Sequence, residues 1–199
     1  MTEVLPTLPL ARSELILGGQ RSGKSRRAEL LARSWLAQSS QHAAVLIATA
    51  QPWDDEMRVR IKRHQLDRAE RVPGMRTLEE PLALAETLAQ CSSPHTLVVV
   101  DCLTLWLTNQ LMPAEIDASN RPLPHDIHGP VAMLSGAIAL AAGPVILVGN
   151  EIGLGVIPMG RETRDFVDAL GRLNQEVAAA CERVTLMVAG LPLTLKEAV

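Results

Sequence analysis

Aromatic residues are scarce in this chain of 199 residues, which has no tyrosine, one phenylalanine and three tryptophans. So few rings leave little on which nucleic acid bases could stack. The formal net charge of −3 also provides no broad basic field for a phosphate backbone. The sequence therefore predicts a protein that does not bind nucleic acid.

Long hydrophobic runs and cysteine pairs are also missing. Apolar runs such as Leu97–Val100 have the length of strands, whereas a helix needs about 20 apolar residues to span a bilayer. Cys91, Cys102 and Cys181 are odd in number and lack the spacing of zinc or redox sites. The first 12 residues do not have the order of a secretory signal. We expect a cytoplasmic protein with reduced cysteines and no membrane span.

Apolar residues make up 47% of the chain, which is enough for one hydrophobic core. Continuous apolar runs, which are typical of strands covered on both faces, alternate with segments of helical periodicity. They predict an α/β fold with three layers, in which helices flank a largely parallel central sheet. The predicted strands are Glu14–Leu17, Ala43–Thr49, Thr96–Val100, Val145–Gly149 and Val184–Ala189.

Three segments have the apolar spacing of helices. The clearest is Thr163–Glu182, and Arg26–Leu36 and Pro81–Gln90 are shorter. The Pro-rich stretch 112–130 has little periodicity and is interpreted as a surface excursion. We expect one catalytic domain over residues 14–199, preceded by an N-terminal extension at residues 1–13.

A phosphate-binding motif lies between the first predicted strand and the first predicted helix. This context favours the P-loop over a glycine-rich turn with a surface lysine, and it makes the expected fold a P-loop, RecA-like one. Backbone N–H groups of such a loop surround phosphate oxygens, Lys24 adds a positive charge, and the hydroxyl of Ser25 can hold Mg²⁺. The sequence G-x-x-x-x-G-K-[ST] is matched by Gly18, Gly19, Gln20, Arg21, Ser22, Gly23, Lys24 and Ser25.

Asp101 directly follows the predicted strand that contains Leu97–Val100. In P-loop enzymes an acid at the carboxyl end of a neighbouring strand reaches Mg²⁺ or its waters. The alternative is an aspartate that only begins a turn. With Lys24 present, we expect Asp101 to be a metal residue.

A histidine lies on a basic helix that begins after Asp54. Met57, Ile61 and His64 recur at helical spacing, so His64 is predicted to share the inward face of this helix. Arginines one turn before and after it would attract the phosphates of a nucleotide, and the neutral imidazole is a nucleophile. The alternative is a histidine that packs beside Ile61 among solvated charges.

Several blocks of the sequence together resemble one known family from Glu14 to Lys196. The family is the bifunctional adenosylcobinamide kinase and adenosylcobinamide-phosphate guanylyltransferase of cobalamin biosynthesis. The blocks are LILGGQRSGKSRRAE at 15–29, IATAQPWDDEMRVRIKRHQ at 47–65, RTLEEPL at 76–82, VVVDCLTLWLTN at 98–109 and VGNEIGLGVIPMGRETRDFVDALGRLNQ at 148–175.

The resemblance implies two reactions and an assembly. Adenosylcobinamide is phosphorylated with ATP or GTP, and GMP is then transferred from GTP to adenosylcobinamide phosphate through a guanylylated histidine. That histidine corresponds to His64, and members of the family form homotrimers. The resemblance also implies that the nucleotide contacts the P-loop and Ala48, Thr49, Ala50, Gln65, Leu66, Asp67, Arg68, Glu79 and Asp101.

One of these residues, Glu79, has a side chain that suits the recognition of guanine. A carboxylate such as that of Glu79 accepts hydrogen bonds from the N1–H and exocyclic amine of guanine or from ribose hydroxyls. The alternative is a surface acid that caps the helix after Pro81, a role that Glu80 would serve equally.

Other residues are left with two interpretations. Asn150 and Glu151 end a predicted strand and are expected to contact substrate or nucleotide. Trp53 and Trp106 either cover the corrin or pack in the core or an oligomer contact. The helix beginning at Thr163 has arginines around it that either neutralise phosphate or form a solvated face: Arg161, Arg164 and Arg172.

Two rival functions stay open at the level of the sequence. One is a P-loop kinase for another small metabolite, which would use Lys24, Ser25 and Asp101 and leave His64 without a role. The other is a nucleotide-dependent switch that changes its contacts with a protein partner.

Overall fold

The computed structural model describes residues 9–52, 54–112, 127–156 and 158–197, with only the backbone at residue 60. Its strands pair in the order β3-β2-β4-β5-β1-β6-β7, parallel throughout except for β7, which runs antiparallel to β6. The strands are β1 (Ser13–Gly18), β2 (Ala43–Ala48), β3 (Arg76–Glu79), β4 (Thr96–Asp101), β5 (Val145–Val148), β6 (Arg183–Val188) and β7 (Leu191–Lys196).

Helices cover both faces of this sheet and produce two hydrophobic clusters. On one face Trp106 and Leu134 belong to a cluster that joins α3, α4, α5 and α6 to the sheet, and on the other Leu31 of α1 packs on β1 and β5. The three-layer α/β fold predicted from the sequence is confirmed. The helices are α1 (Lys24–Gln38), α2 (Asp55–Arg71), α3 (Leu84–Cys91), α4 (Leu103–Leu111), α5 (His128–Leu140) and α6 (Arg161–Ala180).

The structure corrects several predicted boundaries. The helix predicted over Pro81–Gln90 begins at Leu84, because the carboxylate of Glu80 accepts hydrogen bonds from the N–H groups of residues 82 and 83 and holds them in a turn. Strands β3 and β7 were not predicted, and α1 and α6 begin two residues earlier than expected. None of the helices in the described ranges is long and apolar enough to cross a membrane.

The segment before β1 is packed onto the body of the domain. Arg183 donates to the carbonyl of Pro9 at 2.6 Å, and Arg12 donates to the carbonyls of Ala139 and Ala141 at 3.0 and 3.1 Å. Residues 1–8 of the predicted extension, and 113–126 of the Pro-rich stretch, lie outside the described residues. Helix α5 begins within the end of that stretch, where no helix was expected.

A buried carboxylate joins the P-loop helix to the sheet. Glu14 is fully buried, and its Oε1 accepts hydrogen bonds from Arg27 Nε at 2.9 Å and Thr185 Oγ1 at 2.8 Å. The guanidinium of Arg183 lies 3.8 Å from its other oxygen. This network links α1, β1 and β6 below the phosphate-binding loop.

We expect Glu14→Ala to lower the free energy of unfolding by about 3 kcal/mol, because it leaves the guanidinium of Arg27, whose side chain is only 15% exposed, without its partner. Urea denaturation followed by circular dichroism measures this. Asp55→Ala is the matched control, since it breaks an exposed ion pair with Arg58 and should change stability little. Equal losses in the two variants would contradict a structural role for the buried network.

Candidate active site

The phosphate-binding loop follows β1 in a conformation that requires glycine at two positions. Gly18 has a φ of 152°, and a Cβ there would lie 2.6 Å from both the carbonyl oxygen of Met187 and the hydroxyl of Ser22. Gly23, which immediately precedes α1, has a φ of 101°. Both values lie in the region of φ that glycine alone enters without strain. The G-x-x-x-x-G pattern therefore has a steric cause in this fold.

Lys24 folds back over the loop that it follows. It is 8% exposed, and its Nζ donates to the carbonyl of Gly19 at 2.6 Å. Burial lowers the pKa of Lys24, while the nearby carboxylate of Asp101 acts in the opposite direction. The first turn of α1 thus brings a cation close to Asp101, and the half-buried Ser25 follows at the next position.

Thr49 joins the ends of β2 and β4 at the same edge of the sheet. Its hydroxyl donates to the carbonyl of Cys102 at 2.7 Å and accepts from the N–H of Cys102 at 2.9 Å. Thr49 is fully buried, while Ala48, Ala50 and Asp101 are half-buried around it. This double hydrogen bond fixes the backbone beside Asp101.

The thiol of Cys102 has no nucleophilic role at this edge. Burial and the negative charge of Asp101 raise its pKa to about 11. At neutral pH the thiol stays protonated, and the thiolate is the reactive form of cysteine.

Asn109 is a structural residue of the site that the sequence analysis missed. This buried side chain of α4 donates to the carbonyls of Thr49 at 2.8 Å and Pro81 at 3.1 Å. It therefore ties together the loops that follow β2 and β3. Its signal in the sequence is an amide on a short helix that has no charged residue.

Helix α2 brings a second cation, Arg68, to the edge of the sheet where β2 and β4 end. Arg68 is half-buried, and burial lowers the pKa of its guanidinium while Asp101 and Glu29 act in the opposite direction. Its Nη1 has no hydrogen-bond partner among the described residues. Next to it, Arg71 forms an ion pair with Glu29 of α1 at 3.1 Å. The last turns of α2 therefore pack beside the P-loop helix.

His64 is exposed whereas Ile61, one turn before it, is half-buried, so the prediction that His64 points inward is wrong. Helix α2 is held through its carboxyl end, where Val72 is buried, and its earlier turns present most side chains to solvent. His64 nevertheless lies one turn before Arg68 and hence on the same side of the helix. Its imidazole has no hydrogen bond or ion pair with the described residues, which leaves the ring free to meet a ligand.

The neighbours of His64 differ in their exposure. Leu66 is 61% exposed, while Asp67 is half-buried and lies 3.6 Å from Arg71 in an i,i+4 ion pair. Gln65 donates through Nε2 to Oε1 of Glu79 at 3.3 Å. Helix α2 and the end of β3 are thus in contact through two of the predicted nucleotide-binding residues.

The two adjacent acids after β3 have different roles. Glu80 makes the hydrogen bonds that cap the turn before α3. Glu79 is exposed at the end of β3, and among the described residues its carboxylate accepts a side-chain hydrogen bond from Gln65 alone. The capping interpretation therefore applies to Glu80, and the carboxylate of Glu79 is available to a ligand.

The loop after β5 is anchored to the P-loop. The N–H of Glu151 donates to the carbonyl of Gly18 at 3.1 Å. Asn174 of α6, another residue that the sequence analysis missed, donates to the carbonyl of Asn150 at 3.1 Å. The N–H of Asn150 in turn donates to the hydroxyl of Thr104 at 2.9 Å. The loop therefore begins in a fixed position beside the phosphate cradle.

Comparison with known proteins identifies the family. Residues 14–195 match the family described as "Cobinamide kinase / cobinamide phosphate guanyltransferase". The chain belongs to this family. It is therefore an enzyme of a bifunctional kinase and guanylyltransferase family, which favours an enzyme over a nucleotide-dependent switch.

Relatives from three organisms agree with this family over their whole length. The bifunctional adenosylcobalamin biosynthesis protein CobP of Pseudomonas aeruginosa is 49% identical over 92% of this chain and 96% of the relative. The bifunctional adenosylcobalamin biosynthesis proteins CobU of Escherichia coli and Salmonella typhimurium are 37% and 34% identical, over 92% of this chain and 98% of each relative.

A solved structure supports the fold alone. The flagellar accessory protein FlaH from Methanocaldococcus jannaschii superposes with a TM-score of 0.50 over 95% of this chain and 80% of that chain. Its sequence is only 11% identical.

In this cobinamide kinase / guanyltransferase family member, Trp106 is a core residue. It is 1% exposed, and its indole N–H donates to the carbonyl of Leu82 at 2.9 Å. Trp106 therefore cannot cover a substrate, and it instead fixes the loop before α3. Trp53 lies outside the described residues.

The P-loop helix and the end of β4 carry the side chains that would suit a metal ion. Among the described residues no three His, Cys, Asp or Glu side chains form a group that could enclose an ion. Ser25 and Asp101 provide one hydroxyl and one carboxylate. This small oxygen set fits Mg²⁺, which is usually held by one or two protein ligands together with substrate phosphates and water.

Proposed function

We propose that the protein phosphorylates adenosylcobinamide with ATP or GTP and then transfers GMP from GTP to adenosylcobinamide phosphate, through a guanylylated His64. The product is adenosylcobinamide-GDP. The observation that carries the proposal is the combination of Lys24 and Arg68 around Asp101 with the exposed ring of His64 one turn before Arg68. Residues 14–199 form the catalytic domain, and the active enzyme is a homotrimer.

Phosphoryl transfer takes place at the P-loop. Its backbone N–H groups and the ammonium group of Lys24 surround the β and γ phosphates. The hydroxyl oxygen of adenosylcobinamide attacks the γ-phosphorus, the bond to the bridging oxygen breaks, and a nucleoside diphosphate leaves. The hydroxyl proton is released to solvent.

Guanylyl transfer uses the same nucleotide site in two displacements. A neutral ring nitrogen of His64 attacks the α-phosphorus of GTP, which forms a P–N bond and releases pyrophosphate. A phosphate oxygen of the acceptor then attacks the same phosphorus, and the P–N bond breaks to return the imidazole. Covalent catalysis of this kind replaces one difficult exchange with two easier steps. The guanidinium of Arg68 stabilises the negative charge that develops on the phosphoryl oxygens.

Mg²⁺ is the metal that the donor set fits, with Ser25 and Asp101 as its protein ligands. When bound, it would neutralise part of the charge on the phosphates. Lys24 and Arg68 supply the remaining positive charge from the protein.

Glu79 provides a test of guanine recognition. We expect Glu79→Gln to raise the KM for GTP in guanylyl transfer by about 10- to 100-fold with little change in kcat, because a hydrogen bond to a charged group is lost. Steady-state assays with GTP as the varied substrate measure this. Glu86→Gln, at an exposed acid of α3, is the matched control. An unchanged KM in Glu79→Gln would assign guanine recognition to other residues.

A further inference from the structure

A cavity of about 770 Å³ lies between the loop after β5 and one flank of α6. We propose that this cleft binds the corrinoid acceptor of both reactions, an inference that rests on the proposed function. Its loop wall includes Ile152 and Val156, and its helix wall includes Arg161, Arg164 and Arg172. The volume falls within the range of roughly 300–1,000 Å³ that small-molecule sites occupy.

The loop that lines the cleft is attached to the phosphate cradle. Its loop starts at Glu151, whose N–H donates to the carbonyl of Gly18. Asn174 fixes the same start of the loop by donating to Asn150 at 3.1 Å and to Oε2 of Glu151 at 3.4 Å. The wall of the cleft is therefore held to the cradle that binds the triphosphate, and an acceptor must reach this triphosphate for transfer to occur.

The loop wall exposes apolar side chains to solvent, which is unfavourable unless a ligand covers them. Ile152 and Val156 are 40% and 96% exposed. Leu154 and Met159 on the same loop are 79% and 97% exposed. A concentration of exposed apolar groups on one surface usually marks a binding site. The broad face of a corrin ring in the cleft would cover Ile152 and Val156 and remove apolar area from water.

The helix wall offers one cation that has no ion pair in the described part of the chain. Arg164 donates to the carbonyl of Pro158 at 3.1 Å and so shapes the loop. Arg161 forms an exposed i,i+4 pair with Asp165 at 3.7 Å. Arg172 is exposed and forms no ion pair within the described residues, although Asp168 lies one turn before it. Arg172 is therefore the side chain available to the phosphate of adenosylcobinamide phosphate.

Gly171 leaves the centre of the helix wall open. A Cβ built at this position meets no atom within 4 Å. A larger side chain here would fill the cleft without disturbing the fold, and glycine is itself a poor helix former. Gly136 in the interior of α5 has the same open surroundings and lies outside the cleft.

The test compares Gly171→Leu with Gly136→Leu in the full-length protein. Equilibrium dialysis, followed by the visible absorption of the corrin, measures the Kd for adenosylcobinamide phosphate. We expect Gly171→Leu to raise this Kd at least tenfold and to retain wild-type labelling of His64 by GTP, whereas Gly136→Leu should change neither. Arg172→Gln should weaken binding of adenosylcobinamide phosphate more than binding of adenosylcobinamide, and Arg172→Lys should restore part of the difference.

The failures of the two proposals are distinguishable. An unchanged Kd in Gly171→Leu would overturn the cleft as the acceptor site, while retained labelling of His64 would leave the proposed function standing. A change in sedimentation coefficient in Gly171→Leu alone would also overturn it, because the cleft would then be an interface between copies of the chain. Absence of labelling in the wild-type protein would count against the proposed function itself.

Discussion

His64→Ala is expected to lower guanylyl transfer to adenosylcobinamide phosphate by at least about 10³-fold, which is the scale seen when a catalytic nucleophile is removed. Phosphorylation of adenosylcobinamide should stay within about twofold of wild type, because that step needs the P-loop and not the imidazole. The exposed position of His64 means that alanine there removes no core contact. Separate steady-state assays of the two reactions measure the difference.

His95→Ala is the matched control for this experiment, since His95 is also exposed and lies next to the amino end of β4, away from the carboxyl edge of the sheet. It should leave both reactions unchanged. A parallel fall of both reactions in His64→Ala would contradict a separate role in GMP transfer. Retention of both would contradict His64 as the guanylylated residue and would assign GMP transfer to another group.

Lys24→Met is expected to lower both reactions by about 10²- to 10³-fold, which is the usual effect of removing one preorganised electrostatic group. The same cradle holds the triphosphate in each reaction, so the two rates should fall together, unlike those of His64→Ala. Burial lowers the pKa of Lys24, which means that the buried position disfavours the charged ammonium group. Replacing it with the uncharged methionine should therefore not lower thermal stability.

Lys62→Met removes a lysine from the exposed surface of α2 and serves as the control for charge. It should leave the kinase rate unchanged. A Lys24→Met enzyme with wild-type kinase activity would contradict the assignment of the loop as the phosphate cradle. Melting temperatures from circular dichroism separate this result from misfolding.

The P-loop could be predicted because the local backbone requires particular residue types at its defining positions. Gly18 and Gly23 adopt values of φ that other residues resist, and Lys24 follows at the first turn of α1. The buried strands could be predicted because both of their faces are covered by helices, which produces continuous apolar runs.

The exposure of His64 could not be predicted from helical periodicity. The period states which residues share a face but not how deeply the face is buried. Here the ion pair between Arg71 and Glu29 and the burial of Val72 hold only the end of α2. The exposure of His64 therefore depends on contacts between segments that are distant in sequence, which periodicity does not show.

Strand β7 had a signal that was missed. Ala189 and Gly190 have φ values of 52° and 81°, which is the pattern of a two-residue hairpin turn. The apolar and polar residues that follow Gly190 alternate, as in a half-exposed strand. Strand β3 had no comparable signal, since its four residues are mostly exposed and it exists through its pairing with β2.

The measurement that tests the proposed mechanism most directly is peptide mapping by mass spectrometry after the full-length protein is incubated with GTP and Mg²⁺ without acceptor. The sample is quenched in neutral denaturant, because a P–N bond is labile in acid. One GMP adduct on His64 is expected, and it should disappear when adenosylcobinamide phosphate is added. An adduct on another residue, or GMP transfer with no adduct at any time, would contradict the guanylylated histidine.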